Sequence, residues 1–382
     1  MATAHTDTLD RAEQMLQPLF AGYQGLEFGG GVIFRGPASD YCLEHRGEVE
    51  TGLRRLPGAH AFETLDGHVF LTYTIPAPHV KPVNRKLHAA LLLATVLTTL
   101  VAGANWRFDQ FLAQVVASVG GAEGSVPIGQ LLGELVQQGG LFAMALLLIL
   151  GSHECGHYVM ARRYGMLVTP PFFLPAPIPP VGTFGALIKI RSPMMHRRAL
   201  LDIGLAGPVA GVIVALPILI YGLSQSTFVL EEYVQRSVGV EFGHSLLTWG
   251  LAKVFMGTPE PGYTLNWLAH PLAWAGWLGL LVTMLNLIPV GQLDGGHVAY
   301  ALVGRRQRLV AWFFLGVLLA LARTQWPGWA VWVVVMSLLM RPAHPPVVLD
   351  DVPLDRKRQI IGWGAMVFFL LVFMPAPVVG LM

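Results

Sequence analysis

The chain changes character near residue 85. Before that point short apolar stretches alternate with polar ones; after it, apolar runs of bilayer-spanning size follow one another almost to the last residue. The opening MATAHTDTLDRAEQMLQPLF reads as a tail entering a short helix. GGGVIFRG (Gly29–Gly36) is a glycine-bounded run of strand formers, and HVFLTYTI (His68–Ile75) is another. HRGEVETGLRRL (His45–Leu56) between them has helical spacing. The pattern predicts a small soluble α/β domain over residues 1–85, closed by a proline-rich, basic linker, PAPHVKPVNRK.

Seven apolar segments follow: His88–Ala104, Gly140–Arg162, Ala199–Leu223, Pro271–Pro289, Leu309–Ala322, Gly328–Met340 and Ile360–Met374. A helix needs roughly 20 apolar residues, within about 17–25, to cross a bilayer. The fifth and sixth segments are short and joined only by RTQWP, so they read as two spans or as one tight hairpin. The expectation is a polytopic α-helical membrane protein with six or seven transmembrane helices over residues 86–382, preceded by the α/β domain. Lys and Arg cluster before the first segment and between the second and third, fourth and fifth, and sixth and seventh. With seven spans all these clusters fall on one side, which predicts a cytoplasmic N-terminus.

Local chemistry modifies this picture in places. TPPFFLPAPIPP (Thr169–Pro180) carries six prolines and cannot be helix, so it reads as an interfacial loop or a cavity wall. GTFGALIKI (Gly182–Ile190) reads as a strand. GLAGPVAG (Gly204–Gly211) offers small residues for close helix packing. WLAHPLAWAGW (Trp267–Trp277) reads as an aromatic belt at the membrane interface. The loop Ser224–His270 reads as an acidic connection.

Composition agrees with a membrane protein. Charged residues make up 13%, against about 25% in ordinary soluble domains. Apolar residues make up 54% and the mean hydropathy is +0.56. A net charge of +2 gives no argument for nucleic acid as a partner. Of the two cysteines, Cys42 and Cys155, the second lies within an apolar helix and reads as core, so no disulfide framework is implied. The start has no basic region leading into an apolar one, so no cleavable leader is expected.

The second segment holds the chemistry. His153 and His157 in HECGH are four apart, so on a helix both rings project from one face. That spacing supplies two zinc ligands, and Glu154 beside them can reach a metal-held water as general base. A catalytic zinc needs a third protein ligand. Asp294, in LNLIPVGQLDGGH, is the leading candidate, because Pro289 and the glycines after it break the helix there. Asp202 and His297 are rivals; Asp202 is also explained as a charge at a helix start, and His297 as a helix-start residue facing water. His244, His270 and His344 read as solvated or helix-capping.

HECGH followed at a distance by NLIPVGQLDGG resembles the site-2 protease family of intramembrane zinc metalloproteases. GTFGALIKIRSP and DIGLAGPVAG share in the likeness, which covers about residues 140–302. The GVIFRG stretch is similar to the plant-plastid and bacterial branch with a soluble N-terminal domain, and no PDZ-like insertion is visible. The resemblance implies a zinc-dependent metalloendopeptidase with one Zn²⁺ per chain on His153, His157 and Asp294. It implies that Glu154 activates water and that Asn286 stands near the substrate carbonyl. Expected partners are single-span membrane protein substrates and the lipid bilayer, in a cell membrane, with the site nearer the cytoplasmic face. The Gly182–Ile190 strand can hold an unwound substrate by its edge, which makes Gly182, Thr183, Phe184 and Gly185 candidate substrate-binding residues.

Overall fold

A computed structural model describes residues 13–28, 31–56, 58–65, 67–75, 83–104, 116, 127–177, 181–230, 241–267, 270–348, 350 and 352–379. The chain divides into two compact units, Met1–Val83 with Arg191–Pro193, and Asn84–Ile190 with Met194–Met382. The expected linker lies outside the described residues from 76 to 82.

The first unit is an antiparallel four-stranded sheet with strand order β1-β2-β4-β3, formed by β1 (Gln24–Phe28), β2 (Gly31–Pro37), β3 (Ala59–Leu65) and β4 (His68–Ile75). Between β2 and β3 run two short helices, α1 (Asp40–Glu44) and α2 (Arg46–Leu53). Ser39 starts α1 by accepting the Cys42 amide. One face of the sheet meets the helices through Phe34, Leu71, Tyr73, Cys42, Val49 and Leu53, all buried. The two runs of strand formers are the central strands β2 and β4. The flanking strands QGLEF and AHAFETL carry no such signal; pairing to β2 and β4 makes them strands, as sheet context overrides weak propensity.

The second unit is helical. Its principal helices are α3 (Arg85–Ala104), α4 (Gly140–Arg163), α5 (Arg197–Ser224), α6 (Leu246–Met256), α7 (Pro271–Asn286), α8 (Asp294–Val303), α9 (Gln307–Thr324), α10 (Gly328–Val335) and α11 (Arg356–Val372). Among the described residues four helical stretches are long and apolar enough to cross a membrane: Arg85–Ala104, Gly140–Arg163, Arg197–Ser224 and Asp294–Thr324. The last joins α8 and α9 through a single 3₁₀ turn, so the expected fifth segment is the second half of a longer run. The expected fourth segment is the 16-residue α7, and the expected seventh is the 17-residue α11.

Helices α4, α5 and α7 form the centre, and small residues set how closely they approach. A Cβ at Gly156 would lie 2.2 Å from the Ala206 carbonyl oxygen, and one at Gly276 would lie 2.6 Å from Leu219 Cβ. Contacts this short exclude any side chain, so α4 and α7 both press their backbones onto α5, as the Gly204–Gly211 run anticipates. After α7 the chain turns through Leu287–Leu293 and re-enters helix at Asp294. Gly291 makes that turn possible: its φ is +56°, and a Cβ there would sit 2.6 Å from the Arg341 carbonyl oxygen.

The proline-rich stretch contains a strand. Its Phe172–Pro175 forms β5, antiparallel to β6 (Thr183–Leu187). Residues 178–180 lie outside the described set.

Four expectations are corrected. Cys155 is exposed. It lies about 200° around the helix from His153, and the histidine face is the one that packs inward. The aromatic belt is interior: Trp267, Trp274 and Trp277 are all buried, Trp274 stacks on Trp277 at 5.1 Å, and the Trp277 indole donates to the Gly243 carbonyl. Packing under Phe242 supplies the apolar cover that an interface would otherwise give. The loop Ser224–His270 contains α6, started by a Ser245/Thr248 capping box. His344 is 7% exposed, not solvated. His270 caps α7 by accepting the Leu272 amide.

Gly276→Val should force the α5–α7 crossing apart. The expected loss is about 1–3 kcal/mol, read as an earlier thermal unfolding midpoint of the detergent-solubilised chain; an unchanged midpoint would refute the close-approach argument.

Candidate metal centre

Helix α4 places His153 and His157 one turn apart on its inward face, and the first residue of α8 is Asp294. The break after α7 therefore brings a carboxylate from a distant part of the sequence to the histidines. His153 Nε2 lies 3.2 Å from Asp294 Oδ2, His157 Nε2 lies 3.3 Å from the same oxygen, and the two nitrogens are 3.1 Å apart. All three residues can offer one donor atom within a common 4.8 Å.

These distances suit zinc. Bonds of 2.0–2.2 Å to nitrogen and oxygen in a tetrahedral site put neighbouring donor atoms about 3.3 Å apart. The tautomers agree. His157 Nδ1–H donates to the Ile203 carbonyl at 2.7 Å, which leaves Nε2 with its lone pair. That lone pair points at a carboxylate oxygen and a second imidazole nitrogen. An imidazole lone pair and a carboxylate oxygen this close suit a cation held between them. Room is made by the facing helix: a Cβ at Gly207 would overlap His157 Nε2 at 2.0 Å, and one at Gly211 would crowd His153 at 3.2 Å.

A cavity of about 320 Å³ opens beside the cluster. It is lined by His153, Glu154, His157, Asn286 and Asp294, by Phe184 through Ile188, and by Met340. Glu154 is 8% exposed, and among the lining residues it has no charged partner other than the cluster itself. Asn286, the last residue of α7, turns its amide nitrogen to 3.4 Å from His153 Nε2. Of the four candidate substrate residues, Phe184 and Gly185 line the cavity. Gly182 and Thr183 do not: Gly182 abuts the α3 backbone at Thr98, and the buried Thr183 hydroxyl donates to the Leu174 carbonyl across the hairpin. Strand β6 pairs with β5 along one edge, and among the described residues no strand covers the other.

The rival ligands go elsewhere. Asp202 accepts the Tyr164 hydroxyl at 2.5 Å and a forked Arg358 guanidinium at 2.7–3.1 Å. Burial and the Asp202 hydrogen bond push the Tyr164 hydroxyl up to about 12, so it stays a donor. His297 lines the cavity, yet its Nδ1 meets His344 Nε2 at 2.7 Å. The other His344 nitrogen faces the Pro345 carbonyl, and the His344 amide donates to Gln307. Burial pushes His344 down to about 4, so its neutral ring takes the His297 proton as acceptor. Residue spacing carries no signal for Ile203, His344 or Arg358, because each makes its contact between distant segments.

Residues 141–322 match the sequence model of peptidase family M50. The chain is similar to the probable zinc metalloprotease EGY2, chloroplastic, of Arabidopsis thaliana, at 32% identity over 250 residues, which is 64% of this chain and 43% of that protein. The EGY2 protein of Oryza sativa subsp. indica is 31% identical over 249 residues, 64% of this chain and 44% of its own. The probable zinc metalloprotease EGY1, chloroplastic, of Arabidopsis thaliana is 28% identical over 235 residues, 61% of this chain and 42% of its own. The chain thus spans less than half the length of these relatives. The names of these relatives agree with zinc as the metal, and the donor set at His153, His157 and Asp294 is one zinc takes.

Asp294→Ala should lower bound zinc in the purified chain from about one per molecule to a small fraction of that, while His297→Ala keeps about one. Metal analysis by atomic absorption decides between the two residues.

Proposed function

We propose that this chain, whose residues 141–322 match peptidase family M50, is a zinc metalloendopeptidase that cleaves membrane-anchored proteins in or beside their transmembrane helices. The observation that carries the reading is the meeting of His153, His157 and Asp294 beside the Glu154 carboxylate in one cavity, within helices of membrane-spanning length.

Zinc held by His153, His157 and Asp294 supplies a Lewis acid that brings the pKa of a water to around 7 and polarises a carbonyl oxygen. Glu154, next to the ligands and lining the same cavity, takes the proton that the attacking water loses and returns it to the leaving amine nitrogen. Asn286, with its amide turned toward the cluster, donates to the oxygen on which negative charge develops. His157 keeps its ligating tautomer through the Ile203 carbonyl.

A substrate helix hides its peptide bonds in its own hydrogen bonds, so it must unwind before cleavage. The free edge of β6 offers backbone groups to the extended segment by strand addition, with the exposed Phe184 against its apolar side chains. The substrates are single-span proteins of the same bilayer. Arg162 and Arg163 end α4 just beyond the ligands. By the positive-inside rule they put the site toward the cytoplasmic face of a cell membrane, with the N-terminal domain on that side.

Glu154→Gln should lower kcat/KM against a single-span substrate by about 10²–10⁴-fold with zinc retained; near wild-type cleavage in detergent would exclude Glu154 as the proton carrier. The edge-strand reading has its own test. Amides alternate along a strand, so one of the neighbours Ala186 and Leu187 presents its N–H to the free edge. Proline at that position should slow cleavage at full zinc occupancy, and equal rates for wild type and both proline variants would refute it.

A further inference from the structure

Arg358 lies in the first turn of α11, beyond the stretch that matches the family. Its guanidinium makes a forked pair with Asp202, Nε to Oδ1 at 3.0 Å and Nη2 to Oδ2 at 2.7 Å. Its remaining nitrogen, Nη1, donates to Asp355 at 2.7 Å, and Asp355 in turn caps α11 by accepting the Arg358 amide. Tyr164, the residue after α4, donates its hydroxyl to the same Asp202 carboxylate. Asp202 is thereby held from two sides, by the end of α4 and by the start of α11. A planar, bidentate guanidinium fixes direction as well as distance, which a lysine would not do.

The next residue along α5 is Ile203, and its carbonyl accepts the His157 Nδ1–H at 2.7 Å. The position of that carbonyl sets both the tautomer of His157 and the direction of its Nε2 lone pair. Metal sites are sensitive at this level, since a hydrogen-bond partner of a ligating histidine typically changes affinity by about 10–100-fold when removed. We propose that Arg358 is a positioning residue for His157: through Asp202 it holds α5 in the register that aims the Ile203 carbonyl at the ligand. The proposal rests on the reading of His157 as a zinc ligand.

A second ion pair on α5 provides a comparison. Arg197 Nε meets Asp350 at 2.9 Å in the first turn of the helix, but that turn carries no acceptor for a cluster histidine. The experiment uses the full chain in detergent, with zinc affinity read by chelator competition and ligand geometry by the visible spectrum of the cobalt-loaded protein. Arg358→Ala should weaken zinc by about 10–100-fold and shift the cobalt bands. The exchange of Asp202→Arg with Arg358→Asp should recover most of the loss, and Arg197→Ala should lower the melting temperature with zinc affinity unchanged. Wild-type affinity and spectrum in Arg358→Ala would overturn the proposal. So would an equal loss in Arg197→Ala, which would mark general loosening of the helices. Where Arg358→Ala does not fold, Tyr164→Phe removes one donor from Asp202; a weaker zinc affinity supports the proposal and an unchanged one overturns it. His157→Ala separates the two levels: zinc lost there but kept in Arg358→Ala sinks only the positioning role, whereas zinc kept in His157→Ala sinks the ligand reading itself.

Discussion

Two imidazole nitrogens and a carboxylate oxygen meet within 3.3 Å inside a bundle of apolar helices. Polar groups at membrane depth are costly unless each has a partner, and the His157 Nε2 lone pair and the Asp294 oxygen, which both offer electrons, cannot partner one another. A cation among them resolves both problems at once. Much of the second unit is arranged around that requirement. Helix α5 gives up side chains where it faces the histidines, with glycine at 207 and 211, because any Cβ at 207 would occupy the place of the His157 ring. Helix α4 gives one up at Gly156 so that its backbone can reach α5.

The same requirement explains the broken helix. A continuous α7 would carry its residues past the cluster along a rising path, and none would deliver a carboxylate pointing back at α4. Ending the helix at Asn286 and restarting it at Asp294 puts an acid at a helix N-terminus, where the helix dipole also favours negative charge. The turn between them is held from outside. Gln307 donates to the Pro289 and Pro342 carbonyls, and the Gly291 amide bonds Pro342. Segments far along the chain thus brace the ligand loop, through Gln307 and the Pro342 carbonyl.

Part of the cavity is lined by the least regular stretch of the unit. The β5–β6 hairpin is irregular where prolines prevent helix, and it lies against the cavity. Irregular backbone here is tolerated because one strand satisfies the other along the shared edge and β6 lines a cavity.

Much was legible in sequence alone. The helical period put His153 and His157 on one face, the proline and glycines around Asp294 marked a break, and the apolar runs marked the long helices, because each of these is a local property of neighbouring residues. The central strands β2 and β4 were legible for the same reason. The edge strands β1 and β3 were not, since their identity comes from their partners. Spacing also left Asp202 and His297 open as ligands and gave the wrong surroundings for Cys155, His344 and the tryptophans of residues 267–277. A residue's type and period say which face it occupies on its own helix; which other helix covers that face depends on packing between distant segments. Only the tertiary structure turned Asp202 toward Arg358, paired His297 with His344, buried the indoles under Phe242 and left Asp294 facing the two histidines.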